Sequence, residues 1–129
     1  MKLKETTHYA VRIIIYLSFH KDTTITIQQI SKDTRISAKY LAKILHTLKA
    51  NELVVAIRGC EGGYKLNPER KHISLYDVIH STEKGVDEIS KITTYYDPNA
   101  KTKIEEINNI YSNIQVSYLN QLKQYNLLT

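Results

Sequence analysis

The chain has 129 residues, 42% of them apolar and 24% charged, enough for a single domain with a real core and a helical extension. A single cysteine excludes an internal disulfide and every zinc pattern built on several cysteines, and no window approaches the ~18 uninterrupted apolar residues of a membrane span. The net charge of +5 is unevenly spread: residues 1–75 carry thirteen Lys or Arg against six Asp or Glu, a balance of +7, whereas residues 76–129 carry five against seven, a balance of −2. A front half that meets a polyanion and a back half with a different task are the expectation. The amino terminus, MKLKETTHYAVRIIIYLSFH, has Glu5, His8 and Arg12 spaced through it and lacks the order of a signal peptide, which predicts a cytoplasmic protein.

Thr6 or Thr7 is the expected cap of a first helix, whose apolar positions Ala10, Ile13, Ile14, Leu17 and Phe19 recur at helical spacing up to about His20. Thr26 to Gln29 spells a T-x-x-Q capping box for a short second helix with Ile27 and Ile30 buried, ending near Asp33. After a turn at residues 34–36, Ser37 caps a third helix with Leu41, Ile44, Leu45 and Leu48 on one face and Lys39, Tyr40, Lys43, His46 and Thr47 largely on the other. LVVAI at 53–57 and YKL at 64–66 are expected to pair as an antiparallel hairpin. Three of the four glycines, Gly59, Gly62 and Gly63, fall at its tip, where they supply positive φ and a slim profile able to enter a groove.

Ser74 to Asp77 forms an S-x-x-D cap for a fourth helix carrying Leu75, Val78 and Ile79. Residues 86–96 are ambiguous: Val86, Ile89 and Ile92 have helical spacing, but the β-branched ITT run opposes a helix. Asp97-Pro98 is a strong helix start. From there Ile104, Ile107, Tyr111, Ile114, Tyr118, Leu122 and Tyr125 recur at intervals of three and four, close to a coiled-coil seam. A helix of roughly 40 Å at ~1.5 Å per residue outruns the small domain and predicts a homodimer zipped along it.

The fold class is therefore expected to be mainly α with a small β-hairpin wing: a winged helix-turn-helix over 1–82, a connecting segment over 83–97 and a long carboxy-terminal dimerisation helix over 98–129. This arrangement places the third helix in a major groove and the wing over an adjacent groove. Ser37, Lys39, Tyr40 and Lys43 then face bases or phosphates, and Arg58, followed by the slim Gly59, enters a minor groove.

TTHYAVR near the start, ISAKYLAKIL in the third helix, the wing pattern L-V-x-x-x-R-G-x-x-G-G-Y-x-L, and ISLYDVI after it together resemble the Rrf-two type family of bacterial transcription regulators, the IscR, NsrR and CymR type, over about residues 1–80. The resemblance implies a dimer on palindromic promoter DNA, with Tyr9, Ser37, Tyr40 and Arg58 close to the nucleic acid. Cluster-binding members carry three closely spaced cysteines, and residues 84–102 hold none, so the chain resembles the cluster-free branch with no cofactor and no metal. Many members also carry an acidic residue after the Tyr-Leu pair of the third helix. Here Ala42 and Lys43 follow Tyr40 and Leu41, which implies a different operator.

The resulting expectation is a repressor that binds double-stranded DNA, with no membrane partner and either a redox signal or a small-molecule effector. Cys60 beside Arg58 is the candidate redox thiol, with Glu61 opposing thiolate formation. Tyr95, Tyr96, Tyr111 and Tyr118 are candidates to line a ligand pocket or, as expected here, to pack the dimer seam. The five histidines show no metal-fixing spacing and are expected at the surface. The chain contains no G-x-S-x-G, H-E-x-x-H or phosphate loop, and an enzyme is not expected. The alternative from another class is a winged protein-interaction module whose basic face docks an acidic partner such as a metabolic enzyme.

Overall fold

A computed structural model describes residues 2–94 and 97–128. Five α-helices and one hairpin run in the order α1 (Glu5–Ser18), α2 (Ile27–Thr34), α3 (Ala38–Ala50), β1 (Val54–Ile57), β2 (Gly63–Leu66), α4 (Leu75–Thr82) and α5 (Lys101–Gln124), with a 3-10 turn at Pro98–Ala100 leading into α5. The expected winged helix-turn-helix with a long carboxy-terminal helix is the architecture observed.

The core follows the helical periodicity of the sequence. Ile13, Ile14 and Leu17 from α1, Ile30 from α2, and Leu41, Ile44, Leu45 and Leu48 from α3 meet Leu53, Val54, Leu66, Ile73 and Val78, all buried. Each such aliphatic side chain contributes about 1.5–3 kcal/mol on leaving water. Phe19, expected on this face, is instead 80% exposed, because α1 stops one residue before it.

Helix α1 starts earlier than its threonines suggest. Lys4 is the N-cap and makes no side-chain cap bond. Thr7, fully buried inside the helix, donates its hydroxyl to the Glu83 carboxylate and sits 2.7 Å from the Thr82 hydroxyl. The box at α2 is half formed: Thr26 accepts from the Gln29 N–H, while the Gln29 amide turns to Asp33 at 2.9 Å. At α4 both halves of the Ser74–Asp77 box are present.

In the hairpin Val54 faces Leu66 and Ile57 faces Gly63. Ile25 bridges Tyr64 with reciprocal backbone bonds of 2.9 and 2.8 Å, which ties the wing to the chain before α2. Gly59 and Gly63 have positive φ, whereas Gly62 does not; its role is close approach, since a Cβ there would lie 2.4 Å from the Ile57 carbonyl oxygen.

Residues 86–94 form no helix. Side-chain amides hold them: Asn108 on α5 accepts from the Ile92 N–H at 2.8 Å and donates to its carbonyl at 3.1 Å, and Gln115 donates to the Val86 carbonyl. Asp97 caps the 3-10 turn as its Asp-Pro start predicted. Beyond α5 the chain turns back beside residues 73–75, with the Leu75 N–H donating to the Tyr125 carbonyl and the Leu127 N–H to that of Ile73.

Candidate nucleic-acid interface

The turn between α2 and α3 is built by side chains. Arg35 adopts a left-handed conformation with φ 61°, and its N–H closes on the Ser31 carbonyl. The buried Thr34 hydroxyl donates to the Ile30 carbonyl, and Ser31 donates to that of Ile36. Arg12, reaching from α1, donates to the Thr34 carbonyl, an acceptor that the helix end leaves without an intrahelical partner. These bonds set the angle at which α3 leaves the body.

Helix α3 begins at Ser37, whose hydroxyl oxygen accepts the Tyr40 N–H at 3.2 Å and keeps its own proton to donate outward. Lys39, Tyr40 and Lys43 are exposed, as the sequence predicted, and α3 contains no acidic residue to offset its lysines. Tyr9 stands behind the start of α3, its ring meeting that of Tyr40 edge-on at 5.3 Å. The Tyr40 hydroxyl lies 2.8 Å from that of Thr6, and the Arg12 guanidinium sits 5.7 Å from the centre of the Tyr9 ring. Thr6 and Arg12 are additions to the predicted set; their signal in the sequence is the three-residue spacing from Tyr9, which puts all three on one side of α1.

Arg58, Gly59 and Cys60 are exposed at the wing tip. Gly59 has φ 118° and no atom near its missing Cβ, so the conformation rather than crowding requires glycine there.

The predicted seam residues divide. Ile114 is 63% and Tyr111 37% exposed, and Ile110, absent from the predicted seam, joins them at 55%. Ile104, Ile107 and Tyr118 are half-buried. Burial, with the Glu83 charge adding to it, raises the Tyr118 phenol above its ordinary value. Leu122 is buried within the chain itself, where α5 packs on α4. Tyr125 lies past the end of α5 and is exposed, its carbonyl engaged by Leu75. Tyr95 and Tyr96 lie outside the described residues. Of the histidines, only His20 is half-buried, with Nδ1 2.9 Å from the Tyr16 carbonyl oxygen.

Among the described residues no helix is long and apolar enough to cross a membrane. The regulator NsrR of Oceanobacillus iheyensis is 37% identical over 84 residues, covering 64% of this chain and 57% of that protein. The chain spans just over half the length of the first curated relatives it matches. Among solved structures, IscR of T. potens superposes with a TM-score of 0.72 at 23% identity over 98% of this chain and 83% of that one. CymR, the global cysteine regulator of B. subtilis, superposes with a TM-score of 0.71 at 22% identity over 98% and 93%. These superpositions show the shared fold.

A family model described as Rrf2, iron-dependent transcriptional regulator, matches residues 3–129. The donor set of this chain does not fit an iron-sulfur cluster. Its one thiol, Cys60, lies exposed on the wing, and among the described residues no three His, Cys, Asp or Glu side chains gather to hold a metal. The match itself extends past the winged domain through α5, and on that breadth the chain belongs to the Rrf2 family of transcriptional regulators.

Proposed function

We propose that this chain is a cytoplasmic, sequence-specific DNA-binding regulator that acts as a homodimer on a two-fold symmetric operator, represses by occluding polymerase, and carries no iron-sulfur cluster. One observation carries the reading: an acid-free helix, capped by Ser37 and backed by Tyr9, exposes Lys39, Tyr40 and Lys43 beside a wing tipped by Arg58. Lysines and arginines neutralise phosphates and release counterions, while the hydroxyls and long side chains of α3 are suited to base edges. The +7 balance of residues 1–75 supports the same assignment.

The exposed Ile110, Tyr111 and Ile114 on α5 support a dimer, because an apolar strip on a helix surface is stabilised by a matching helix. Two recognition helices then meet the duplex about 34 Å apart, or at a small multiple of that spacing.

The test is selection of bound genomic fragments, followed by binding measurements on the recovered sequence and on random DNA across a salt series. A saturable, sequence-preferring complex whose affinity falls steeply with salt is expected. Arg58→Ala should weaken binding to both DNAs, and Lys43→Ala should also alter which sequence is preferred. Equal affinity for selected and random DNA would exclude the reading.

A further inference from the structure

Beside the candidate interface, where the start of α1, the middle of α3 and the end of α4 meet, lies a cleft of about 410 Å³, within the range of roughly 300–1,000 Å³ common for small-molecule sites. Lys4, Lys43 and Lys84 line it; among the described residues none of the three forms a close salt bridge, though the charge of Lys4 acts on Glu83. The single carboxylate in the lining, Glu83, is already committed to the Lys4 N–H and the Thr7 hydroxyl. Thr6 and Tyr40 share one hydrogen bond across the rim. Whichever of them donates, the proton of the other hydroxyl is left over for a ligand. The buried side chain of Ile44 provides an apolar floor.

We propose that this cleft is an effector site for a small dianion, either a phosphate ester or a short dicarboxylate. Its occupancy releases DNA, because the ligand engages the Lys43 and Tyr40 side chains that the interface needs. Three lysines against one carboxylate around a cavity leave a surplus of positive charge that favours two negative charges; the volume and the apolar floor leave room for a short carbon skeleton. The regulatory half of this inference rests on the DNA-binding reading above, whereas anion binding by the free protein does not.

The experiment uses the full chain without DNA. Its thermal unfolding is followed with glycerol phosphate, malate or inorganic phosphate against sodium chloride matched in ionic strength, for the wild type and for Lys84→Gln. Lys84 is exposed and lies outside the set assigned to DNA. A saturable rise in Tm beyond that given by chloride is expected with at least one of the first two probes. Loss of one exposed ammonium should weaken the apparent affinity about fivefold. The same probe should lower affinity for the selected DNA fragment in the wild type and do so less in Lys84→Gln.

No saturable rise with any probe, or one unchanged in Lys84→Gln, overturns the proposal. It is equally overturned if Lys84→Gln weakens DNA binding and lowers the salt slope by about one without any anion effect, since the cleft would then hold a backbone phosphate of DNA. Saturable anion binding in a protein that prefers no DNA sequence would leave the site standing and sink the DNA-binding reading instead.

Discussion

The ring of Tyr9 meets the ring of Tyr40 edge-on, with centroids 5.3 Å apart and planes at 90°. The contact joins α1 to the first turn of α3, so the orientation of the exposed lysines depends on a residue from another helix. An edge-to-face pair contributes about 0.5–1.5 kcal/mol beyond area burial. Tyr9→Leu is expected to lower stability by about 1 kcal/mol and to weaken binding to selected and random DNA alike. Tyr40→Phe keeps the ring and loses the hydroxyl bond to Thr6, an exposed bond worth less than about 1 kcal/mol. Urea denaturation of both variants checks the order; a larger loss in Tyr40→Phe would contradict it.

At the wing, Gly59 and Gly63 both have positive φ, but only Gly63 is also crowded. A Cβ on Gly63 would lie 2.4 Å from the Ile25 carbonyl oxygen, and one on Gly59 would meet nothing within 4 Å. Gly63→Ala therefore forces apart the bridge between Ile25 and Tyr64 and is expected to cost about 2–3 kcal/mol. Gly59→Ala should cost about 1 kcal/mol, from conformation alone. Equal denaturation midpoints for the two variants would show that the crowding relaxes freely.

Glu83 closes α4 and reaches back to the first turn of α1. Burial favours its neutral form, but the hydrogen bonds from the Thr7 hydroxyl and the Lys4 N–H, with the charges of Lys4 and His8, outweigh that and hold the carboxyl below its ordinary value. A carboxyl depressed in the folded state adds stability when ionised, so the contribution is complete above the ordinary glutamate range and is lost as pH falls through the depressed value. Glu83→Gln is expected to lower stability at about pH 7 and to reduce the difference between about pH 7 and about pH 4. Thr7→Val, which removes a buried donor at nearly constant volume, should cost about 1–3 kcal/mol. Parallel urea curves for wild type and Glu83→Gln across this pH range would refute the link.

Ile110 and Ile114 are 55% and 63% exposed on α5. Because neither belongs to the core of the chain, Ile110→Glu combined with Ile114→Glu should leave the helical content unchanged and, where the wild type sediments as the proposed dimer, yield a monomer. Sedimentation velocity and circular dichroism on the same samples test this. Affinity for a two-fold symmetric DNA site should fall with dimer loss, since each monomer then holds only one half-site. A variant that remains dimeric would place the interface elsewhere.

Local chemistry was legible in the sequence wherever neighbours along the chain decide the outcome. The 3.6-residue recurrence of Ile13, Ile14 and Leu17 and of Leu41, Ile44, Leu45 and Leu48 marked the buried faces of α1 and α3. Ser37, the Ser74–Asp77 box and Asp97-Pro98 marked helix starts, and the glycines marked the hairpin tip. The exposed set Ser37, Lys39, Tyr40 and Lys43 followed from those boundaries, because a helix start and a period together assign each side chain to a face, and Arg58 followed from its place beside the glycines of the hairpin tip.

What tertiary structure alone decided are the points where partners lie far apart in sequence. Thr7 looked like a cap and is instead a buried donor to Glu83, 76 positions away. Residues 86–94 carried conflicting propensities, and the Asn108 amide on α5 holds Ile92 in a non-helical path. The apolar repeat of α5 announced a helix with a buried side but not which positions face the chain's own body. Docking on α4 takes Leu122 and leaves Ile110, Tyr111 and Ile114 open. Periodicity constrains direction around a helix axis, whereas the surface waiting on each side is set by how the elements pack, and no window of sequence contains that information.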